Sequence, residues 1–312
     1  MGLLAYFNGK YVPLADVKIG IQTHALHYGT ACFEGIRGYW NAEAEQMYIF
    51  RLREHYERLA NSARTIRMKL PASIDELCDL TVELIARQGI KEDVYIRPLL
   101  YKSNEVIGVR VHGLDDGFVV YAQPFGKYLN TDAGIRCCVS SWRRIEDSAI
   151  PARCKITGSY INSALAKSEA IEDGYDEAIM LNEDGHVAEG SGENIFLVIK
   201  GEFVTPGLSE NILPGITRNA LMRVALEEMG IPTVERKVDR TELYSADEVF
   251  LCGTAAEVTP VLEIDRRAIG DGQIGPITAK LQRLFFQVVR GNNPKYLDWC
   301  RPVYAKAEAT TA

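Results

Sequence analysis

The sequence predicts a mixed α/β fold in two domains, and three observations predict it. The chain has 312 residues, more than one hydrophobic core of ordinary size requires. Short apolar runs of strand character alternate with longer segments whose apolar residues recur at helical spacing. Between the halves lies "PFGKYLNTDAG", rich in Gly, Asn and Asp, which reads as a linker. The expected boundaries are a small α/β domain over 1–122, a linker over 123–133, a larger domain over 134–305 and a disordered tail over 306–312.

Each element has a local cause. In "YFNGKYVP" the pair Asn8-Gly9 tolerates the positive φ of a type I′ hairpin turn. The stretch "GIQTHALHYGTACFEGIRGYW" shows no sustained period and is expected to be a loop leading to the strand "MYIF". In "RLREHYERLANSARTIRM", Leu52, Tyr56, Leu59, Ala63 and Ile66 share one helical stripe. The next helix opens on a capping box, Ser73 with Glu76, and closes at Gly89. "VYIRPLLY" and "GFVVYAQPF" read as strands, as does "IRCCVSSW" beyond the linker. "RRIEDSAIPAR" is a loop, a helix enters at "KITGSYINSALAKSEA", and "DEAIML" and "NIFLVI" are further strands. A helix from about Thr217 to Met229 stops at Gly230, and "ADEVFLCGT" is again a strand. The last helix, "PITAKLQRLFFQVVRG", has Pro276 in its first turn and Gly291 after it.

Composition excludes several classes. Apolar content of 47% and charged content of 25% are those of a soluble globular protein. The net charge of −7, with no run of Lys and Arg, argues against a nucleic-acid partner. The longest apolar runs, "GFVVYA" and "NIFLVI", are too short to span a bilayer. "MGLLAYFNGKYVPL" shows no export pattern, and seven cysteines without CxxC pairs suit reduced thiols, so a cytoplasmic location is expected. The five histidines show no ligand spacing, and no metal is expected.

The chemistry concentrates in a few stretches. Lys155 of "ARCKITGSY" has no acidic neighbour in sequence; it reads as a surface lysine at a helix start or as a partly desolvated amine that acts as a nucleophile. No P-loop and no GxGxxG after a strand is present. "LPGITR" offers Gly215, the N–H groups of Ile216 and Thr217 and a hydroxyl at a helix start, which suits either an ordinary cap or a phosphate. "HVAEGSGENIF" sets Glu189 and Glu193 around Gly-Ser-Gly, either as a plain turn or to present a carboxylate to a heterocycle. In "CGTAAEVTPV", Gly253, Thr254 and two alanines leave room for a ligand. A lysine, two phosphate cradles and an acid are the parts that pyridoxal phosphate needs.

These motifs, in order from about residue 24 to 261, resemble the fold-type IV pyridoxal-phosphate aminotransferases, and among them the branched-chain amino acid aminotransferases. The resembling stretches are "HYGTACFEGIRGY", "FRLREHYERLANSA", "YIRPLLY", "KITGSY", "EGSGENIF", "LPGITR" and "ADEVFLCGTAAEVTPV". The resemblance implies two domains with the cofactor site between them, the larger one binding pyridoxal 5'-phosphate. It implies that Lys155 forms the internal aldimine and moves the proton, that Tyr160 bonds the phenolic oxygen, and that Glu189 pairs with the pyridine nitrogen. It assigns the phosphate to Arg58, Ile216, Thr217 and Thr254. Arg58 on its own also reads as a helix-surface arginine, and Glu193 as a buttress of the Gly-Ser-Gly turn.

For the substrate, the resemblance points to Phe33, Gly35, Arg37, Tyr95, Arg97, Tyr128, Thr254, Ala255 and Ala256. Tyr28, Ile107 and Val109 match positions that enter the neighbouring subunit's pocket, so a homodimer or homohexamer is implied. By their residue types alone Tyr95 and Tyr128 are equally core residues. The implied reaction is transamination of L-leucine, L-isoleucine or L-valine with 2-oxoglutarate. A D-amino acid or (R)-amine transaminase and an aminodeoxychorismate lyase share the fold and are the alternatives; a non-catalytic cofactor-binding protein is the third. "GSY" for Gly-Asn-Tyr, Phe125 in place of an indole, and polar Arg110 and His112 depart from the family pattern and bear on side-chain preference.

Overall fold

The computed structural model describes residues 2–304; the tail expected over 306–312 lies outside them. Two compact units form: one from the segment through His27, Phe33–Gly126 and the chain from Gln287, the other from Tyr28–Cys32 and Lys127–Phe286.

The first unit is built on an antiparallel sheet with strands in the spatial order Cys300–Pro302, Gln46–Phe50, Ile36–Asn41, Val94–Lys102, Asp116–Pro124, Leu4–Phe7 and Lys10–Pro13. The outermost hairpin turns at Asn8 and Gly9, both at positive φ (44° and 92°), with Phe7 facing Lys10. Helix Leu52–Thr65 buries the predicted Leu52, Tyr56, Leu59 and Ala63, and with them His55 and Arg58. In helix Ile74–Gln88 the capping box forms in both directions, and Gly89 closes it at φ 62°.

The region expected as a loop before "MYIF" is instead structured. It holds a helical turn, His24–Tyr28, and two strands, Ala31–Phe33 and Ile36–Asn41. Ile36–Asn41 is an interior strand buried on both faces, so it carries no period-two alternation, and Arg37 and Gly38 mask its apolar character.

The second unit holds a mixed sheet in the order Val187–Gly190, Glu177–Leu181, Ile135–Arg143, Glu257–Ile264, Glu248–Gly253, Asn194–Ile199, Glu202–Thr205 and Thr233–Glu235. Ile135–Arg143 runs parallel to both neighbours. One face packs Ile179, Leu181, Ile195, Leu197, Val249, Leu251 and Val261 into a core. The alternate residues Ala178 and Met180 face Ala166 and Ala170 of helix Tyr160–Glu172, where small side chains let helix and sheet approach. Helix Ile216–Val224 runs on through a π-turn, Ala225–Met229, and ends at Gly230 in the left-handed conformation.

Helix Pro276–Val289 starts at its proline as expected, and a distant residue caps it. The Glu248 carboxylate accepts the N–H groups of Ile277 (3.0 Å) and Thr278 (2.7 Å). Among the described residues no helix is long and apolar enough to cross a membrane.

Candidate active site

Lys155 precedes a 3-10 turn, Thr157–Ser159, that leads into helix Tyr160–Glu172. The turn is held to the chain at 29–32: Thr157 Oγ1 donates to the Gly29 carbonyl (2.9 Å), Gly158 N–H to the same oxygen (3.2 Å), and Ile156 forms a bridge with Cys32. A Cβ on Gly29 would lie 2.6 Å from the Gly158 Cα, and Gly29 sits at φ 63°, so the contact requires glycine. The turn folds the chain back so that Lys155 Nζ donates to the Tyr160 hydroxyl at 2.6 Å. Lys155 is half-buried, and its amine is aimed rather than spread into solvent.

Glu189 lies on strand Val187–Gly190 and is buried. Its Oε1 meets Arg144 Nη2 at 2.7 Å, and its Oε2 accepts Asn194 Nδ2 (2.9 Å) and the Leu213 N–H (3.2 Å). Burial pushes its carboxyl above the usual range, although Arg144, the Leu213 N–H and the nearby Lys155 charge all pull it down. Asn194 also donates to the Leu213 carbonyl (3.0 Å), and a Cβ on Gly215 would lie 1.9 Å from Asn194 Oδ1. Gly215 is thus the residue that lets the start of helix Ile216–Val224 close on this cluster. No side chain caps that helix, so the first N–H groups, with buried Thr217, form a positive helix terminus suited to an anion.

Thr254, Ala255 and Ala256 turn between strands Glu248–Gly253 and Glu257–Ile264. Gly253 faces the Gly-Ser-Gly turn, its Cβ position 3.7 Å from the Gly192 carbonyl oxygen. The second unit therefore gathers Lys155, Tyr160, Glu189, Ile216, Thr217 and the Thr254 turn. Tyr28 and Tyr128 belong to this unit too, and Lys167 Nζ stands 5.7 Å over the Tyr128 ring.

In the first unit Phe33, Gly35, Arg37, Tyr95 and Arg97 form one group. Arg97 stacks on Phe33 (4.6 Å) and donates to the Tyr95 hydroxyl (3.0 Å). Tyr95 also packs on Phe125, with centroids 5.0 Å apart. A Cβ on Gly35 would lie 2.1 Å from the Tyr95 hydroxyl. Arg37 donates to the carbonyls of Phe125 (3.2 Å) and Gly126 (2.9 Å). Ile107 and Val109 are apart in character: they stand 94% and 80% exposed on the loop before strand Asp116–Pro124. That loop is tied by His24, whose Nε2 pairs with the Gly108 carbonyl at 2.7 Å. Arg58 is also in this unit, buried, with a bidentate hold on Glu34.

Glu34, His55, Arg144 and Asn194 are not singled out by sequence reading. Arg144 sits in "RRIED", where nothing local separates it from surface charges; Glu34 and His55 lie within motifs, but their partners are remote in sequence. The metal expectation meets one group among the described residues, Asp184, His186 and Glu210, with ligand atoms within 4.8 Å; Lys237 Nζ already neutralises Asp184 at 2.7 Å.

Glu193 buttresses the Gly-Ser-Gly turn: its Oε2 accepts the Gly192 N–H at 3.0 Å. Burial first, and the Glu177 carboxylate second, push it up to about 8, so it is protonated at neutral pH. A carboxyl raised on folding stabilises below its unfolded value and loses that contribution as pH rises through its folded one. The Glu193→Gln variant, neutral throughout, should therefore gain on the wild type as pH rises from about 4.5 to about 8, by on the order of a few kcal/mol. Urea unfolding of both proteins across that range checks it; a constant difference would refute the assignment.

Residues 31–264 match the amino-transferase class IV family, and the chain belongs to that family. A probable branched-chain-amino-acid aminotransferase of Aquifex aeolicus is 53% identical over 302 residues, 97% of each chain. The crystal structure of a branched-chain aminotransferase from Thermoproteus uzoniensis with norvaline superposes with a TM-score of 0.93 at 46% identity, covering 97% of this chain and 100% of that one. The branched-chain amino acid aminotransferase from Thermobaculum terrenum, solved in its PLP-form, gives 0.92 at 41% identity, covering 97% of this chain and 98% of that one.

Proposed function

We propose that this aminotransferase is a pyridoxal-5'-phosphate-dependent enzyme exchanging the amino group of L-leucine, L-isoleucine or L-valine with 2-oxoglutarate. The observation that carries the reading is the aimed Lys155 amine, 2.6 Å from the Tyr160 hydroxyl, in the same unit as buried Glu189 and an uncapped helix start. The donor set fits the cofactor: an amine for its aldehyde, a phenol for its phenolic oxygen, a carboxylate for its ring nitrogen, and N–H groups with Thr217, Thr254 and Arg58 for its phosphate.

Bound there, pyridoxal phosphate would supply a protonated ring, an electron sink for the pair left when the substrate Cα–H bond breaks. Lys155 Nζ accepts that proton and returns it at the other end of the exchange, and the Tyr160 hydroxyl holds the amine in line. Arg144 and Asn194 hold the Glu189 carboxylate in place, where it would pair with the ring nitrogen. Phe33 and Tyr95 offer an apolar wall to an aliphatic side chain, and Arg37 and Arg97 offer cations to a carboxylate, which suits glutamate as the other donor. Exposed Ile107 and Val109 are read as contacts to a second copy in a homodimer or larger homo-oligomer, in the cytoplasm.

The visible spectrum of the purified holoenzyme tests the reading. L-leucine should discharge the yellow band and D-alanine should not. A response to D-alanine alone would make it a D-amino acid transaminase, and a protein that stays colourless with added cofactor would overturn the assignment altogether.

A further inference from the structure

The chain's handling of Arg58 goes further, and the inference rests on Arg58 being the phosphate arginine. Glu34 is fully buried between strands Ala31–Phe33 and Ile36–Asn41, and its N–H donates to the Pro98 carbonyl at 2.9 Å, so its side chain has a fixed origin. From helix Leu52–Thr65, Arg58 donates Nε to Glu34 Oε1 (2.8 Å) and Nη2 to Oε2 (2.7 Å), a fork that fixes the plane of the guanidinium. His55, three residues earlier on the same helical face, meets Oε2 with Nδ1 at 2.7 Å.

Burial pushes the Glu34 carboxyl up, but the Arg58 charge and the bonds from Arg58 and His55 outweigh it and hold it at about 2. An ionised carboxylate only accepts, so His55 Nδ1 carries the proton, and burial lowers the ring's pKa and favours its neutral form. A buried ion pair seldom adds net stability over apolar packing of equal volume, so stability alone does not account for this cluster. Ordering a long, rotamer-rich arginine before its ligand arrives does, because the cost of immobilising it is then met in folding.

The geometry points to Glu34 and His55 as positioning residues that hold the Arg58 guanidinium in the orientation a phosphate ester requires, so that the phosphorylated cofactor is preferred over its alcohol.

The test compares pyridoxal 5'-phosphate with pyridoxal, which lacks the phosphate. Holoenzymes of the wild type and variants are dialysed to equilibrium against graded concentrations of each, and bound cofactor is read by absorbance. Glu34→Gln, which sets an amide N–H against the guanidinium, should weaken pyridoxal phosphate about tenfold or more and pyridoxal less than about twofold, the scale on which partners of a ligating group act. His55→Leu should act in the same direction, and His55→Asn, which keeps a donor near Nδ1, should recover the loss; this pair carries the test where Glu34→Gln does not fold. Equal weakening of both cofactors, or of neither, by Glu34→Gln and His55→Leu overturns the proposal, since a merely structural role predicts no discrimination. Arg58→Ala reads the premise separately: a retained preference for the phosphorylated form in that variant overturns the phosphate assignment and the proposal with it.

Discussion

Replacing Lys155 with alanine should lower kcat by at least about 10⁴-fold, the upper end of what a positioned base contributes. The segment is tied through Thr157 Oγ1, the Gly158 N–H and the bridge of Ile156 to Cys32, and these three ties do not use the lysine side chain. The variant should accordingly keep its thermal midpoint within a few degrees while losing turnover. Added ethylamine should restore part of the rate in proportion to its concentration, because what is missing is an amine near the Tyr160 hydroxyl. Turnover within tenfold of wild type, or a rate indifferent to added amine, would count against Lys155 as the working base.

Glu189→Gln should cost about 10²–10³ in kcat, the loss seen when one preorganised electrostatic partner of a reacting centre is removed. It should also unfold more easily, by roughly 3–5 kcal/mol, because the Arg144 side chain, only 10% exposed, is left without its counter-charge. The two effects separate in the double variant Arg144→Met with Glu189→Gln. Stability should return there, with no uncompensated charge remaining, and activity should not. Recovery of both together would make Glu189 a structural residue and refute its place at the ring nitrogen. Denaturant unfolding and steady-state kinetics on the same three proteins decide the matter.

Much of the site was legible because its causes are local. The Asn8-Gly9 hairpin, the Ser73–Glu76 capping box and the closure at Gly89 need only neighbouring residues, and each forms as expected. Lys155 and Tyr160 are five residues apart, and one 3-10 turn brings them into contact. Glu189 and Asn194 also lie five apart, across the Gly-Ser-Gly turn. By contrast, Ile36–Asn41 was hidden by burial on both faces, which erases the alternation that marks a strand.

The sequence by itself determined the mixed α/β class, the turn and cap positions, and the stretches that carry the lysine, the acid and the helix start, since propensity and hydrophobic period act over a few residues. Only the tertiary structure decided which charges face each other. Glu34 finds His55 and Arg58 more than twenty residues away, Arg144 finds Glu189, and Glu248 caps a helix that begins 28 residues later. Buried charges must be paired wherever the fold brings a partner, and no local pattern encodes a partner that chain topology supplies.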